Sequence, residues 1–189
     1  MWFSPKGLRK PKSMRHNGKR LTDILEAHLR FFRGEPGGVR ADLSSADLSR
    51  ADLTGVNLTD AILKNASLEE TDLRRAKLTR ADLTGANLRK ADLRNTDMTE
   101  AVLPGADLSE AQASGVEFFR CDMAGVIFRR ANLRNANFRD AKIQGADFAG
   151  ADLNVTIFRE TDLTGVDLSN AHTTTTLMPR NYAPALPKK

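Results

Sequence analysis

Ala41-Asp-Leu-Ser-Ser45, Ala46-Asp-Leu-Ser-Arg50 and Ala51-Asp-Leu-Thr-Gly55 are three consecutive copies of one five-residue pattern. The phase of five continues without insertion to Val166-Asp-Leu-Ser-Asn170, which makes 26 blocks. The first place is small, mostly Ala with some Val or Thr and once Cys121; the third is large and apolar, from Leu43 and Leu48 through Met98 and Phe118 to Leu168. Ala113 is the one small exception. On an α-helix five residues advance by about 140°, so the large residues would scatter around the circumference and form no stripe. On an extended strand the step from first to third place keeps both side chains on one side, but the step of three to the next block turns them outward. A bend once per block restores the inward direction. The pattern therefore predicts very short strands joined by a corner every five residues, wound about an axis that the first and third places face. One such coil cannot bury itself, and stacking closes the core. Gly in the fifth place of eight blocks, as at Gly55 and Gly85, and Asn in four, including Asn65 and Asn95, suit a corner with unusual backbone angles.

Uninterrupted tandem A-D/N-L-x-x over residues 41–170 resembles the pentapeptide-repeat family. The resemblance implies an all-β fold, a right-handed quadrilateral parallel β-helix with four blocks per coil. On that basis the 26 blocks make about 6.5 coils, a rod about 31 Å long at the spacing of paired strands. The sequence supports a coil of twenty residues. Phe118, Phe138 and Phe158 recur at that interval, as do Phe128 and Phe148, and charge alternates at it through Glu69 and Glu70, Arg89 and Lys90, Glu110, then Arg129 and Arg130. The expected core includes Leu48, Leu68, Leu88, Leu108 and these five phenylalanines, each buried Leu contributing roughly 1.5–3 kcal/mol before chain entropy is subtracted. Ala113 is expected to make room for Phe118.

Outside the repeat, residues 1–20 contain Lys6, Arg9, Lys10, Lys12, Arg15, Lys19 and Arg20 and no acid, whereas residues 41–172 hold 21 acidic and 16 basic residues. The first segment has no periodicity and reads as a mobile basic arm, with Trp2 and Phe3 near its tip. Leu21, Ile24, Leu25, His28, Leu29 and Phe32 are spaced for one helical face, and Gly34 and Pro36 end the pattern. Residues 21–33 are thus expected to form a helix that plugs the first coil, within a capping segment over 21–40, with His28 packed in its core. The coiled region is expected over 41–172. Residues 173–189 read as a tail in which Leu177, Met178 and Tyr182 cover the last coil, and Pro179, Pro184 and Pro187 argue against a C-terminal dimerisation helix.

Function is less legible. The aspartates fall almost entirely in the second place, which faces outward, so they read as solvated or turn-bonding groups rather than paired catalytic acids. His16, His28 and His172 are scattered, Cys121 stands at an inward place, and no phosphate-binding loop or C-x-x-C motif occurs. No enzymatic activity, cofactor or metal site is expected. One cysteine makes no internal disulfide, and no apolar run approaches the ~20 residues of a membrane span, which points to a soluble cytoplasmic protein. Another protein is the expected partner. Family members known to bind DNA gyrase imply a topoisomerase-directed DNA mimic as the alternative, but Asp, Glu, Lys and Arg assigned to four faces give −2, −2, 0 and −1, with no phosphate-like stripe. A third reading is a nucleic-acid or anionic-membrane tether through the seven basic residues of the arm. Ile62, Val102, Ile127 and Ile157 replace the usual Asp or Asn in the second place without forming a continuous patch. The sequence leaves monomer and dimer open.

Overall fold

The computed structural model describes residues 7–180. From residue 41 the second-place residues form isolated parallel bridges with the residues twenty positions on, from Asp42 with Ile62 through Ile157 with Leu177. Each coil is therefore twenty residues, four blocks and four corners, stacked on the next as a parallel β-helix.

The hydrogen bonds of one block explain its five places. The second-place N–H of Ile62 donates to the Ala41 carbonyl of the preceding coil (3.0 Å), and the third-place N–H of Leu63 donates to Asp82 of the following one (2.7 Å). The fifth-place N–H of Asn65 also reaches forward, to Thr84 (2.9 Å), while the first-place N–H of Ala66 turns back to Leu63 (3.1 Å) and closes a β-turn. Only the fourth-place N–H lacks a backbone acceptor, and the second-place side chain supplies one. Asp42 Oδ1 accepts from Ser44, Asp82 from Thr84, Asn132 from Arg134 and Asp162 from Thr164. An Asp or Asn in that place thus completes the main-chain pairing. The fifth place takes a positive φ in Ser and charged blocks as well as in Gly and Asn blocks, for example 56° at Ser45, 55° at Glu70 and 56° at Arg130.

First- and third-place side chains fill the axis. Leu48, Leu68, Leu88, Leu108 and the five phenylalanines are buried, as is Ala113. Phe118, Phe138 and Phe158 stack with centroids 4.8 and 4.9 Å apart, Phe128 and Phe148 at 5.1 Å, and the two columns meet edge to face at 5.6–5.9 Å. Where Thr replaces Ala in the first place, its hydroxyl donates to the carbonyl 23 residues earlier: Thr71 to Leu48 (2.7 Å), Thr96 to Leu73 (2.8 Å) and Thr156 to Leu133 (2.7 Å).

The N-terminal segment departs from the expectation of a mobile arm over its described residues, 7–20. Arg9 bridges Ala51 in parallel, extending the first coil backwards; a 3-10 turn over Pro11–Ser13 follows, then a small antiparallel pair, β1 (Arg15–His16) and β2 (Lys19–Arg20). Met14 is buried and accepts the Leu21 N–H (2.9 Å). One bridge, one buried Met and the ion pairs of Arg9 with Asp47 and Lys10 with Asp52 give the segment its place without any periodicity. Lys6, Trp2 and Phe3 lie outside the described residues.

Helix α1 (Leu21–Arg33) buries Leu21 and His28 and packs Ile24 and Leu25 against the core. Leu29 and Phe32, expected in the same plug, are 36% and 50% exposed. The chain doubles back on α1, with the Val39 N–H donating to the Ala27 carbonyl (3.0 Å), and enters the coil at Ala41, which leaves the last helical turn beyond the covered face. At the other end the coil runs past the expected boundary at 172. Thr176 makes the same hydroxyl bond as the inward threonines, to Leu153 (2.7 Å), and Leu177 bridges Ile157, so described residues after 172 continue the coil rather than begin a tail. Leu177 is 42% exposed and Met178 packs on the core; Tyr182, Pro184 and Pro187 lie outside the described residues.

Candidate functional surface

The side chains with chemical potential fall into buried structural roles or into outward columns. Cys121 is buried at an inward place, its thiol donates to the Met98 carbonyl (2.8 Å), and burial pushes its pKa up to about 12. It stands in for the inward threonines and supplies no thiolate nucleophile near neutral pH. His28 accepts the Ala41 N–H at Nδ1 (3.0 Å), joining α1 to the first coil. Burial draws its pKa below the ordinary histidine value, against the opposing effects of the Thr59 carbonyl and Asp60. His16 lies in β1 and His172 bridges Asp152, so the structure does not bring the three histidines together.

The second-place aspartates hold turns. The Ser44 hydroxyl and N–H bonded to Asp42 keep that carboxyl below the usual carboxylate range, and the Ala149 N–H does the same for Asp147. Burial alone would raise Asp72, whose side chain is 1% exposed, but the Arg74 guanidinium and N–H bonded to it hold it low. Among the described residues no group of His, Cys, Asp and Glu is arranged to hold a metal ion.

The outer surface consists of columns in which each side chain meets its equivalents one coil above and below. Two opposite edges of the rod have charged corners. One runs Arg50, Glu70, Lys90, Glu110, Arg130; the other runs Asp60, Arg80, Glu100, Arg120, Asp140, Glu160, alternating in sign up to its last two corners. Arg80 pairs with Asp60 (2.8 Å), Arg120 with Asp140 (3.6 Å) and Arg50 with Glu70 (3.8 Å). The edge between them through Ser45, Asn65, Gly85, Gly105 and Gly125 is uncharged. There the corner residues interlock: a Cβ at Gly85 would come 2.5 Å from Asn65 Oδ1. The basic residues at the N-terminal end are partly used in the fold, Arg9 on Asp47 (2.9 Å), Lys10 on Asp52 (2.7 Å) and Arg20 on Asp23 (2.9 Å). Val102 is 37% exposed, Ile62 and Ile127 are half-buried between aspartates in their columns, and half-buried Ile157 lies between Asn137 and the exposed Leu177.

This block geometry has counterparts in known proteins. Family models for pentapeptide repeats match residues 41–80 and 76–112, in eight copies, and one for a pentapeptide repeat region matches residues 111–182. The chain belongs to the pentapeptide-repeat family. Among solved pentapeptide-repeat structures, QnrB1, a plasmid-mediated fluoroquinolone resistance protein, superposes with a TM-score of 0.56 at 18% identity over 75% of this chain and 80% of its own. HetL, a pentapeptide repeat protein involved in heterocyst differentiation regulation from the cyanobacterium Nostoc sp. strain PCC 7120, is 29% identical over 75% of this chain and 86% of its own, with a TM-score of 0.38. The likeness to QnrB1 is one of fold. A search of curated protein sequences gave no significant match.

Proposed function

We propose that this pentapeptide-repeat protein is a non-enzymatic scaffold, a right-handed solenoid of about 6.5 coils covered at its N-terminal end by α1, whose outer faces bind another protein. The observation that carries this reading is the division of side chains. First and third places are consumed by the core and second-place carboxylates by the turns, which leaves fourth- and fifth-place side chains as fixed arrays on a stiff frame. A surface already ordered by its frame loses little entropy on binding a partner. Affinity capture with the intact chain, compared with four variants that each reverse the charges of one face, tests it. A protein retained by wild type and lost with one face supports the scaffold; retention indifferent to every face overturns it.

A topoisomerase-directed DNA mimic ranks second. Its support is the coil architecture shared with QnrB1. The basic corners set among the acidic ones on both charged edges count against it, because a phosphate mimic needs uninterrupted negative charge. Inhibition of gyrase supercoiling at stoichiometric concentration would favour it, and no effect at large excess would remove it. A tether to nucleic acid or anionic membrane through Lys6, Arg9, Lys10, Lys12, Arg15, Lys19 and Arg20 is weaker than the sequence alone suggests, since Arg9, Lys10 and Arg20 already have acidic partners.

A further inference from the structure

One charged edge stops short. Its corners alternate in sign from Arg50 to Arg130, and the next corner, one coil on, is Gly150. The neighbouring fourth-place column likewise passes from Arg129 to Ala149. With no side chain beyond a methyl at either position, the surface sinks into a groove of about 450 Å³. Arg89, Arg129, Arg130 and Glu110 line it, above a floor of Ala149 and Gly150. Arg130 lies along that floor, its Cγ 3.3 Å from where a Cβ on Gly150 would stand.

The other two guanidiniums are engaged. Arg89 is shared between Asp107 (3.3 Å) and Glu110 (3.5 Å), and Arg129 pairs with Asp147 (2.5 Å). Arg130 has no acidic partner within ion-pair distance among the described residues: Glu110, one coil back in its column, pairs with Arg89, and the position one coil on, Gly150, is empty of side chain. We propose that this groove receives a carboxylate from an acidic segment of a partner protein, which completes on Arg130 the rung that Gly150 leaves unfilled. A guanidinium takes a carboxylate through two parallel N–H bonds, and the recess removes part of the competing water. A peptide fits better than a nucleic acid, because Glu110 and Asp147 flank the site: a lone carboxylate avoids them, whereas a run of phosphates would meet both. The inference rests on the scaffold reading and names the chemistry of its partner.

The test follows the Arg130 Nε–Hε signal by NMR, assigned through Arg130→Lys, while acetyl-Gly-Glu-Gly-Glu-Gly-amide is added to the full chain. A saturable shift of that signal is expected. Gly150→Glu should weaken binding at least tenfold, because the new carboxylate fills the rung from within; Glu70 and Glu110 show that a fifth-place corner accepts Glu at positive φ. Gly125→Glu, on the uncharged edge, should leave it unchanged. Arg130→Ala, followed through the Arg129 signal, should likewise lose the peptide, and it takes the place of Gly150→Glu should that variant not fold. No shift, a shift equally lost in Gly125→Glu, or stronger binding of tripolyphosphate than of the peptide would each overturn the proposal. A partner captured through another face, with Arg130 silent to the peptide, would sink this inference and leave the scaffold reading standing.

Discussion

The middle of the rod and its C-terminal end are written in the same five-residue pattern but pair differently. Between Asp42 and Asp147 each second-place residue bridges the one twenty positions on, until the bridges that would join Lys142 to Asp162 and Asp147 to Asp167 are missing; pairing resumes with Asp152 and His172. The burial of core residues loosens over the same stretch, from 0% exposure at Leu88 and Leu108 to 9% at Leu163 and Val166 and 7% at Leu168. The block therefore encodes its own corner, whereas the ladder between coils is held from both sides. A coil with stacked neighbours above and below is fixed by twice as many contacts as one near an end.

Acid should widen that difference most. The native carboxyls of Asp42, Asp147 and Asp162 are held below their unfolded value, Asp42 and Asp162 first by a side-chain hydroxyl and Asp147 first by a main-chain N–H. Their contribution to stability is complete above the unfolded pKa of about 4 and is lost as pH falls through the native values. Hydrogen exchange followed from pH 6 to pH 3 should show amides 161–170 losing protection before amides 81–110, and simultaneous loss along the rod would contradict the comparison. His28 gives an earlier, smaller acid effect at the N-terminal junction: its pKa is lowered by burial, so its share of stability is present above about pH 6.5 and declines below it. His28→Gln should flatten that part of the melting curve against pH.

Next in size, Leu88→Ala should lower stability by about 2–5 kcal/mol in urea titration, and Leu168→Ala by distinctly less, because the looser end relaxes around the vacancy. Equal losses would mean that the end is packed as tightly as the middle. Thr96→Val removes the hydroxyl bonded to Leu73 in a buried place and should take away about 1–3 kcal/mol; Thr176→Val, at the half-buried equivalent on Leu153, should take less. The smallest expected change is a gain. Val155 is a β-branched residue at φ 63°, and Val155→Asn should raise stability by about 1 kcal/mol and sharpen the unfolding of the terminal coils.

Much of the coil could be read in the chain because its information repeats: a turn acceptor, a small place, a large place and a corner recur in phase from Ala41 to Asn170. The features that depend on one contact could not. Arg9 reaches Ala51 through a single bridge, and a lone bridge leaves no pattern in sequence. The exposed last turn of α1 carries the same spacing as its buried turns, so periodicity alone does not tell where the covered surface ends. The hydroxyl bonds across coils had a signal, Thr in a place otherwise given to Ala, and Cys121 follows the same rule. The groove at Arg130 also had one, in the interruption of an alternating column at Gly150.

Because position around the rod is set by count modulo twenty, removing one whole block would not break the winding; it would dial everything downstream back by a quarter turn. Deleting residues 111–115, for example, would carry Arg130 onto the edge where Glu70 and Glu110 no longer stand above it, and excision of four blocks would shorten the rod while returning every residue to its own face. The register of faces is in this sense an odometer, and its reading can be reset in steps of five.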